Sequence, residues 1–337
     1  SPFWRDCRAR RMLAFLQQCA IFSCTLVGSI VLIRWFLFTA VPSLMALSTP
    51  KRKLRSLGEW AVVTGATDGI GRAMAIEIAR KGLNVLLMAR NEEKLTDTKT
   101  EIESLPGFKG KGEVRTVQVD FSGQPSSGLY ATIEQAIRGL DIGVLVNNVG
   151  LSYPHAMFYN EVESSFVDTL IEVNVRSALR LTHLIYPGMV ERKRGAIVMV
   201  GSAGSKLPSY PLYAAYAATK ACSDAFAQAL QAECEHKNII VQCHVPLLVQ
   251  TKMAKIRKAS LTVPSPERYA KSAISAVENG DSQTQPTLSP YLWHQVMFSI
   301  IGLFPYSLWT KYQLPQNMKI RSKALKKKAE EETNKKA

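Results

Sequence analysis

Six short runs of aliphatic and β-branched residues punctuate the middle of the chain. They are "WAVVTG" from Trp60, "NVLLMA" from Asn84, "VRTVQVD" from Val114, "IGVLVNN" from Ile142, "AIVMVGS" from Ala196 and "IIVQCHV" from Ile239. Most are apolar almost throughout rather than alternating, which predicts strands buried on both faces. Longer segments with helical periodicity separate them, such as Arg72 to Lys81 and Ser164 to Met189. The expected fold is therefore α/β: a single doubly wound parallel sheet of Rossmann type, joined by right-handed crossovers, over residues 57–279. No internal repeat is visible.

Two apolar stretches lie outside this domain. Leu13 to Ile33 is uncharged and as a helix would measure ~31 Å, close to a ~30 Å hydrocarbon core. It predicts an N-terminal transmembrane helix at about 13–33, within an anchor region 1–50. A cleaved signal peptide is the other reading, and its apolar region would be shorter. Basic residues at both ends leave the orientation open. Tyr291 to Phe304 is too short to span and is stopped by Pro305, with Trp293 and Trp309 at its borders. Within 280–310 it reads as membrane-interfacial, as pocket-covering, or as an ordinary C-terminal core helix. Residues 311–337 form a basic tail, expected to be solvated around three consecutive glutamates.

Of 337 residues, 47% are hydrophobic and 8% aromatic, enough for a sizeable core. The formal charge of +15 is concentrated at Arg5, Arg8, Arg10 and Arg11, at Lys51 to Arg55, and along Lys319 to Lys336. That distribution suits an anionic membrane face, and no zinc-finger or RNA-recognition signature supports a nucleic-acid partner. The six cysteines form no CxxC and no His/Cys cluster, so the catalytic portion reads as reduced and metal-free. The chain begins at Ser1 rather than methionine, compatible with a start that was processed or lies upstream.

Candidate chemistry sits at the strand ends. "VVTGATDGIGRAMA" places Gly65, Gly69 and Gly71 between the first strand and a helix, where backbone can approach a pyrophosphate at the helix N-terminus. The second strand ends in Arg90, where an NAD site would carry an acid. An arginine there meets a 2′-phosphate and predicts NADPH, with Arg72 as a second cation. The alternative is a surface arginine near Glu92 and Glu93. In "PSYPLYAAYAATKACSDAFAQAL" three tyrosines, Tyr210, Tyr213 and Tyr216, enter a helix, and only Tyr216 has a lysine, Lys220, one turn on. This is either the acid of an active site or an aromatic stripe beside a solvated lysine.

"TGATDGIG", "NNVG" (Asn147 to Gly150), Asn174, Ser202 and Tyr216-x-x-x-Lys220, in that order, resemble the short-chain dehydrogenase/reductase superfamily. The resemblance implies a catalytic group of Ser202, Tyr216 and Lys220 completed by Asn174, which positions a proton-relaying water. It also implies cofactor contacts from Gly65, Thr67, Asp68, Gly69, Ile70, Gly71 and Arg90, from Asp120 to adenine, Asn148, Tyr216, Lys220 to the nicotinamide ribose, and Thr251 to the nicotinamide amide. "NNVGLSYPHAMFYNEV", "LPSYPLYAAYAATKA" and "VQCHVPLLVQTKMAKIRKASLTVPSPERYAKSAI" further resemble the plant branch of the very-long-chain 3-oxoacyl-CoA reductases. Those enzymes work in fatty-acid elongation in the endoplasmic reticulum membrane. The implied partners are 3-oxoacyl-CoA, other elongase subunits and the bilayer, with the catalytic domain facing the cytosol.

Three departures are noted. The Ser202–Tyr216 interval is one residue longer than in many superfamily members, which brings Ser205 into consideration. "VPLL" at Val245 replaces the common Pro-Gly, and the ending "NKKA" lacks a dilysine retrieval signal. The alternatives are a 17β-hydroxysteroid dehydrogenase-like oxidoreductase and a catalytically silent elongase subunit. On the reductase reading, Tyr216 protonates the ketone oxygen and Ser202 orients it. Lowering a tyrosine pKa from ~10 by about three takes roughly 4 kcal/mol, which an ammonium ~4 Å away supplies at an effective dielectric near ~20. Lys220 is expected to do this once bound cofactor and substrate exclude water. Lys252, Lys255 and Arg257 or Lys258 are expected either to steer acyl-CoA or to touch lipid headgroups.

Overall fold

The computed structural model describes residues 2–35, 51–123, 127–234, 236–280 and 285–336. The chain separates into two compact units, Ser1–Pro50 and Lys51–Ala337.

The first unit holds helix α1, Pro2–Trp35, with Leu13, Phe15, Leu16, Ile21, Phe22, Leu26, Ile30 and Ile33 exposed. Among the described residues no helix is long and apolar enough to cross a membrane, so the transmembrane reading of 13–33 is not supported. The uncharged run shares its helix with Arg5, Asp6, Arg8, Arg10 and Arg11. It also contains Gln17, Gln18, Ser23, Thr25 and Ser29, which dilute its hydropathy. The flank 36–50 lies outside the described residues.

The second unit alternates strand and helix. In order come β1 (Trp60–Thr64), α2 (Gly69–Arg80), β2 (Asn84–Ala89), α3 (Glu92–Glu103), β3 (Val114–Gln118), α4 (Ser127–Ile137) and β4 (Ile142–Asn147). Then follow α5 (Ser164–Ile171), a π-helical turn (Glu172–Arg176), α6 (Ser177–Arg192), β5 (Gly195–Val200), α7 (Ala214–Glu233) and β6 (Ile239–His244). The C-terminal part adds α8 (Pro266–Asn279), β7 (Thr287–Leu288), α9 (Leu292–Ile301) and α10 (Tyr306–Lys336). All strands are parallel, in the order β3-β2-β1-β4-β5-β6-β7. The six strands expected from the sequence are present; β7, two residues at the edge, is an addition.

The period-two alternation of a strand divides the core into two layers. Ala61, Val63, Val85, Leu87, Val144 and Val146 face Met74, Ile78 and Ile274 on one side. Val62, Leu86, Met88, Leu145, Ile197 and Met199 face Leu181, Ile185, Met189 and Leu230 on the other. Strand order reverses between β1 and β4, which opens a crevice at their C-terminal ends. Nearly every candidate site residue lies around it.

The tail is exposed over most of residues 319–334. Residues 306–336 form one helix, with exposed Lys326–Glu330 and Lys327–Glu331 pairs four residues apart near its end. Its first half docks on the sheet domain through a buried Trp309 and Asn317.

Candidate active site

The dinucleotide end of the crevice is built on Thr64, the last residue of β1. Its hydroxyl accepts the backbone N–H groups of Asn148 and Val149, both at 3.0 Å, which ties the ends of β1 and β4 together. Gly65 (φ 63°) and Gly69 (φ 53°) take left-handed conformations at either end of the loop. Asn148 donates its side-chain amide to the carbonyls of Thr64 (3.0 Å) and Gly65 (3.2 Å). A Cβ on Gly71 would sit 2.2 Å from that amide nitrogen, so the loop and Asn148 close on each other only because residue 71 has none. Asn148 thus acts first on the loop's shape.

Asp68 caps α2 by accepting the Gly69 N–H at 2.8 Å and pairs with Lys252 at 2.9 Å. Partial burial works against its charge, but these two partners hold its carboxyl below the usual range. Thr251 packs its methyl group over Gly69, and Ile70 packs on one core layer. Thr67, Asp68, Gly69, Arg72, Lys94 and Lys252 line a cavity of about 400 Å³.

Arg90 is exposed at the end of β2 and has no ion-pair partner among the described residues. Asp120, after β3, accepts from the Ser122 hydroxyl (2.6 Å) and N–H (2.9 Å), and these bonds, with Arg90 adding attraction, depress its pKa. Arg72 does not join Arg90: its guanidinium is paired with Glu101. The remaining donors suit a phosphorylated dinucleotide: exposed loop backbone at a helix N-terminus and one cation at the end of β2, where the chain carries no acid.

The second cluster lies at the end of β5. Ser202 follows that strand in extended conformation, and its hydroxyl accepts the Gly204 N–H at 3.2 Å. Ser205 instead donates its hydroxyl to the Ser202 carbonyl at 2.8 Å. Tyr216, on the first turn of α7, is 9% exposed and shares a hydrogen bond with Ser202. Lys220, one turn on, is 5% exposed, and its ammonium donates to the Val200 carbonyl at 2.9 Å. A Cβ on Gly150 would lie 3.2 Å from that ammonium and 3.5 Å from Asn174 Oδ1, so the glycine admits both side chains to the backbone.

Burial dominates the electrostatics of this pair. Burial raises the Tyr216 pKa, with only the Ser202 bond drawing it down. Burial lowers Lys220 to about 8, opposed by a weak pull from Cys243. Burial thus shifts both groups toward their neutral forms, and Lys220, at about 8, still carries its proton at pH 7. Asn174, in the π-helical turn, accepts the Leu151 N–H (2.7 Å) and donates to Leu151 O (2.9 Å) and Thr219 Oγ1 (3.0 Å). Its amide is a brace between the β4 loop and α7.

An aromatic wall adjoins Tyr216. Tyr210 stacks on Tyr213 at 4.9 Å, Tyr213 meets Tyr153 at 5.6 Å, and Tyr153 meets Phe166 edge-on at 6.0 Å. Leu151, Met157, Val162 and Leu170 complete this cluster. Tyr153 was not foreseen, although it stands within the quoted "NNVGLSYPHAMFYNEV"; nothing local distinguishes it. The loop across the crevice is held by α9: His294 accepts the Leu247 N–H, and Tyr291 donates to the Leu261 carbonyl.

Comparison with known proteins agrees with this architecture. Residues 59–261 match the short chain dehydrogenase family model. A very-long-chain 3-oxoacyl-CoA reductase-like protein of Arabidopsis thaliana is 41% identical over 297 residues, covering 86% of this chain and 89% of that protein. The very-long-chain 3-oxoacyl-CoA reductase of Homo sapiens is 42% identical over 273 residues, covering 80% and 83%. A metagenomic short-chain oxidoreductase solved in complex with NADP is similar at TM-score 0.55 and 25% identity, covering 69% of this chain and 96% of that one. The chain belongs to the short-chain dehydrogenase family.

Proposed function

We propose that this chain reduces very-long-chain 3-oxoacyl-CoA to 3-hydroxyacyl-CoA with NADPH, the first reduction of fatty-acid elongation. The observation that carries the reading is the buried Tyr216–Ser202 hydrogen bond beside a buried ammonium at Lys220. The substrate class is supported by the names and 41–42% identity of the Arabidopsis and human relatives.

In this reading Ser202 and Tyr216 present two hydroxyls to one carbonyl oxygen. When bound, the dinucleotide supplies the hydride. Tyr216, kept protonated by burial, gives its proton to the developing alkoxide, a stronger base than phenolate. Lys220 then offsets the phenolate charge and, with a pKa near 8, can return a proton to it. Asn174 keeps the Leu151 loop and Thr219 in register with that exchange. Arg90 would take the 2′-phosphate of NADPH, with Asp120 on the adenine side.

Lys252 is engaged by Asp68, so steering of coenzyme A falls to exposed Lys255, Arg257 and Lys258. Lys255 already reaches the substrate-side loop, donating to the Pro154 carbonyl at 2.7 Å. Exposed Leu292, Trp293, Ile300, Leu303, Phe304 and Leu308, with the cationic tail, suit an endoplasmic reticulum surface, the catalytic domain on the cytosolic side among other elongase subunits.

The test is an assay of purified chain and of microsomes with NADPH, a long 3-oxoacyl-CoA and a ketosteroid, beside Tyr216→Phe. Thioester turnover lost in the variant is the expected result. Turnover of the ketosteroid alone would sink the reading.

A further inference from the structure

We infer that helix α10 sets the acyl-chain selectivity of this site by pinning the segment that carries its aromatic wall. The inference rests on the reductase reading above for its substrate. Trp309, Gln313, Asn317 and Arg321 recur every fourth residue and so share one face of α10. That face is occupied at each position. Trp309 Nε1 donates to the Ser209 carbonyl at 2.9 Å, and Thr310 Oγ1 pairs with Ser209 Oγ at 2.8 Å. Asn317, 2% exposed, donates to the Pro211 carbonyl at 2.7 Å and accepts from Gln313 at 3.0 Å. Arg321 pairs with Glu161 and lies over the Phe158 ring.

The pinned segment is also held from its other side, where Met157 N–H donates to the Leu212 carbonyl at 3.1 Å. Leu212 needs the restraint: it sits at φ 66°, a left-handed conformation that a leucine leaves unless its surroundings fix it. Between the bonded carbonyls of Ser209 and Pro211 lies Tyr210, whose ring stacks on Tyr213 beside Tyr216. The position of the wall is therefore set about a hundred residues downstream in the chain. A ketone presented to Tyr216 lays its acyl chain along these rings, so slack in the clamp is felt by a long chain and not by a short one.

The experiment is steady-state kinetics of the full chain on acetoacetyl-CoA and 3-oxostearoyl-CoA. Asn317→Leu removes the N–H donor at similar size, and Trp309→Phe removes the indole N–H; either decides the matter should the other not fold. The expected result is a KM for the long thioester raised about three- to tenfold, the effect of one hydrogen bond, with kcat and the KM values for acetoacetyl-CoA and NADPH held within about twofold. Asn317→Gln, which keeps the donor, recovers part of the loss. Equal changes for both thioesters, or none, overturn the inference. Amide exchange is read in parallel: residues 210–215 exchange faster in the variants while the sheet does not, and unchanged exchange also overturns it. A wild-type chain that reduces neither thioester sinks the reductase reading instead, and the exchange result still decides the clamp.

Discussion

Tyr216 and Lys220 were readable from the sequence because four-residue spacing after a strand-end serine is a local signal. Their energetics were not. The carbonyl that holds Lys220 belongs to Val200, twenty residues away, and burial is a property of the folded domain. The Arg72–Glu101 pair escaped notice for the same reason. The buried lysine has a consequence for stability. Its folded pKa lies near 8 and its ordinary value is 10.5, so the unfolded chain binds the extra proton between those limits. Stability from this group therefore rises from about pH 8 to 10.5, and below 8 the fold bears the full cost of burying the ammonium. Lys220→Met should be inactive yet more stable than wild type at pH 7, by up to about 3 kcal/mol, in urea titrations. The gap should close as pH approaches 10.5; a variant less stable at pH 7 would refute the account. Tyr216→Phe should lose about a hundred- to ten-thousandfold in kcat, with NADPH affinity by fluorescence unchanged.

Five strands of the expected sheet could be read because a strand covered on both sides is apolar almost throughout, whereas edge strand β3, with Arg115, Thr116 and Gln118 exposed, was read from its β-branched residues. The π-helical turn could not: over Glu172 to Arg176 one extra residue per turn is invisible in periodicity, and the expected helix 164–189 is in fact two helices meeting there. That turn carries Asn174. The glycine loop was recognised by spacing, but the reason it holds its shape lies in Asn148 and Thr64 across the β1–β4 junction. Asn148→Ala strips two carbonyls of their donor and should weaken dinucleotide binding about tenfold while leaving the ketone KM unchanged. Titration calorimetry with NADPH checks this, and unaltered affinity would count against the brace.

For the chain taken together, composition marked the basic ends but said nothing of where the tail goes. Trp309 and Asn317 are ordinary residues in the sequence; only their docking reveals a helix that clasps Ser209 and Pro211. The charges of the 252–258 segment are sorted by the same three-dimensional fact, since Lys252 is taken by Asp68 and Lys255, Arg257 and Lys258 are left exposed. Lys255→Glu with Lys258→Glu should raise the KM for acyl-CoA severalfold, flatten its dependence on ionic strength, and spare a short ketone without coenzyme A. Equal effects on both substrates would refute steering. The clasp also bears on biosynthesis. At roughly 5–20 residues per second, the polypeptide from Leu212 to Arg321 takes about 5–20 s to emerge from the ribosome. During that interval the nascent enzyme can assemble its sheet and bind nucleotide, while the wall beside its general acid stays unlatched and sticky. Selectivity for long chains would then be acquired after turnover itself, and folding helpers would be needed most while the wall is unlatched.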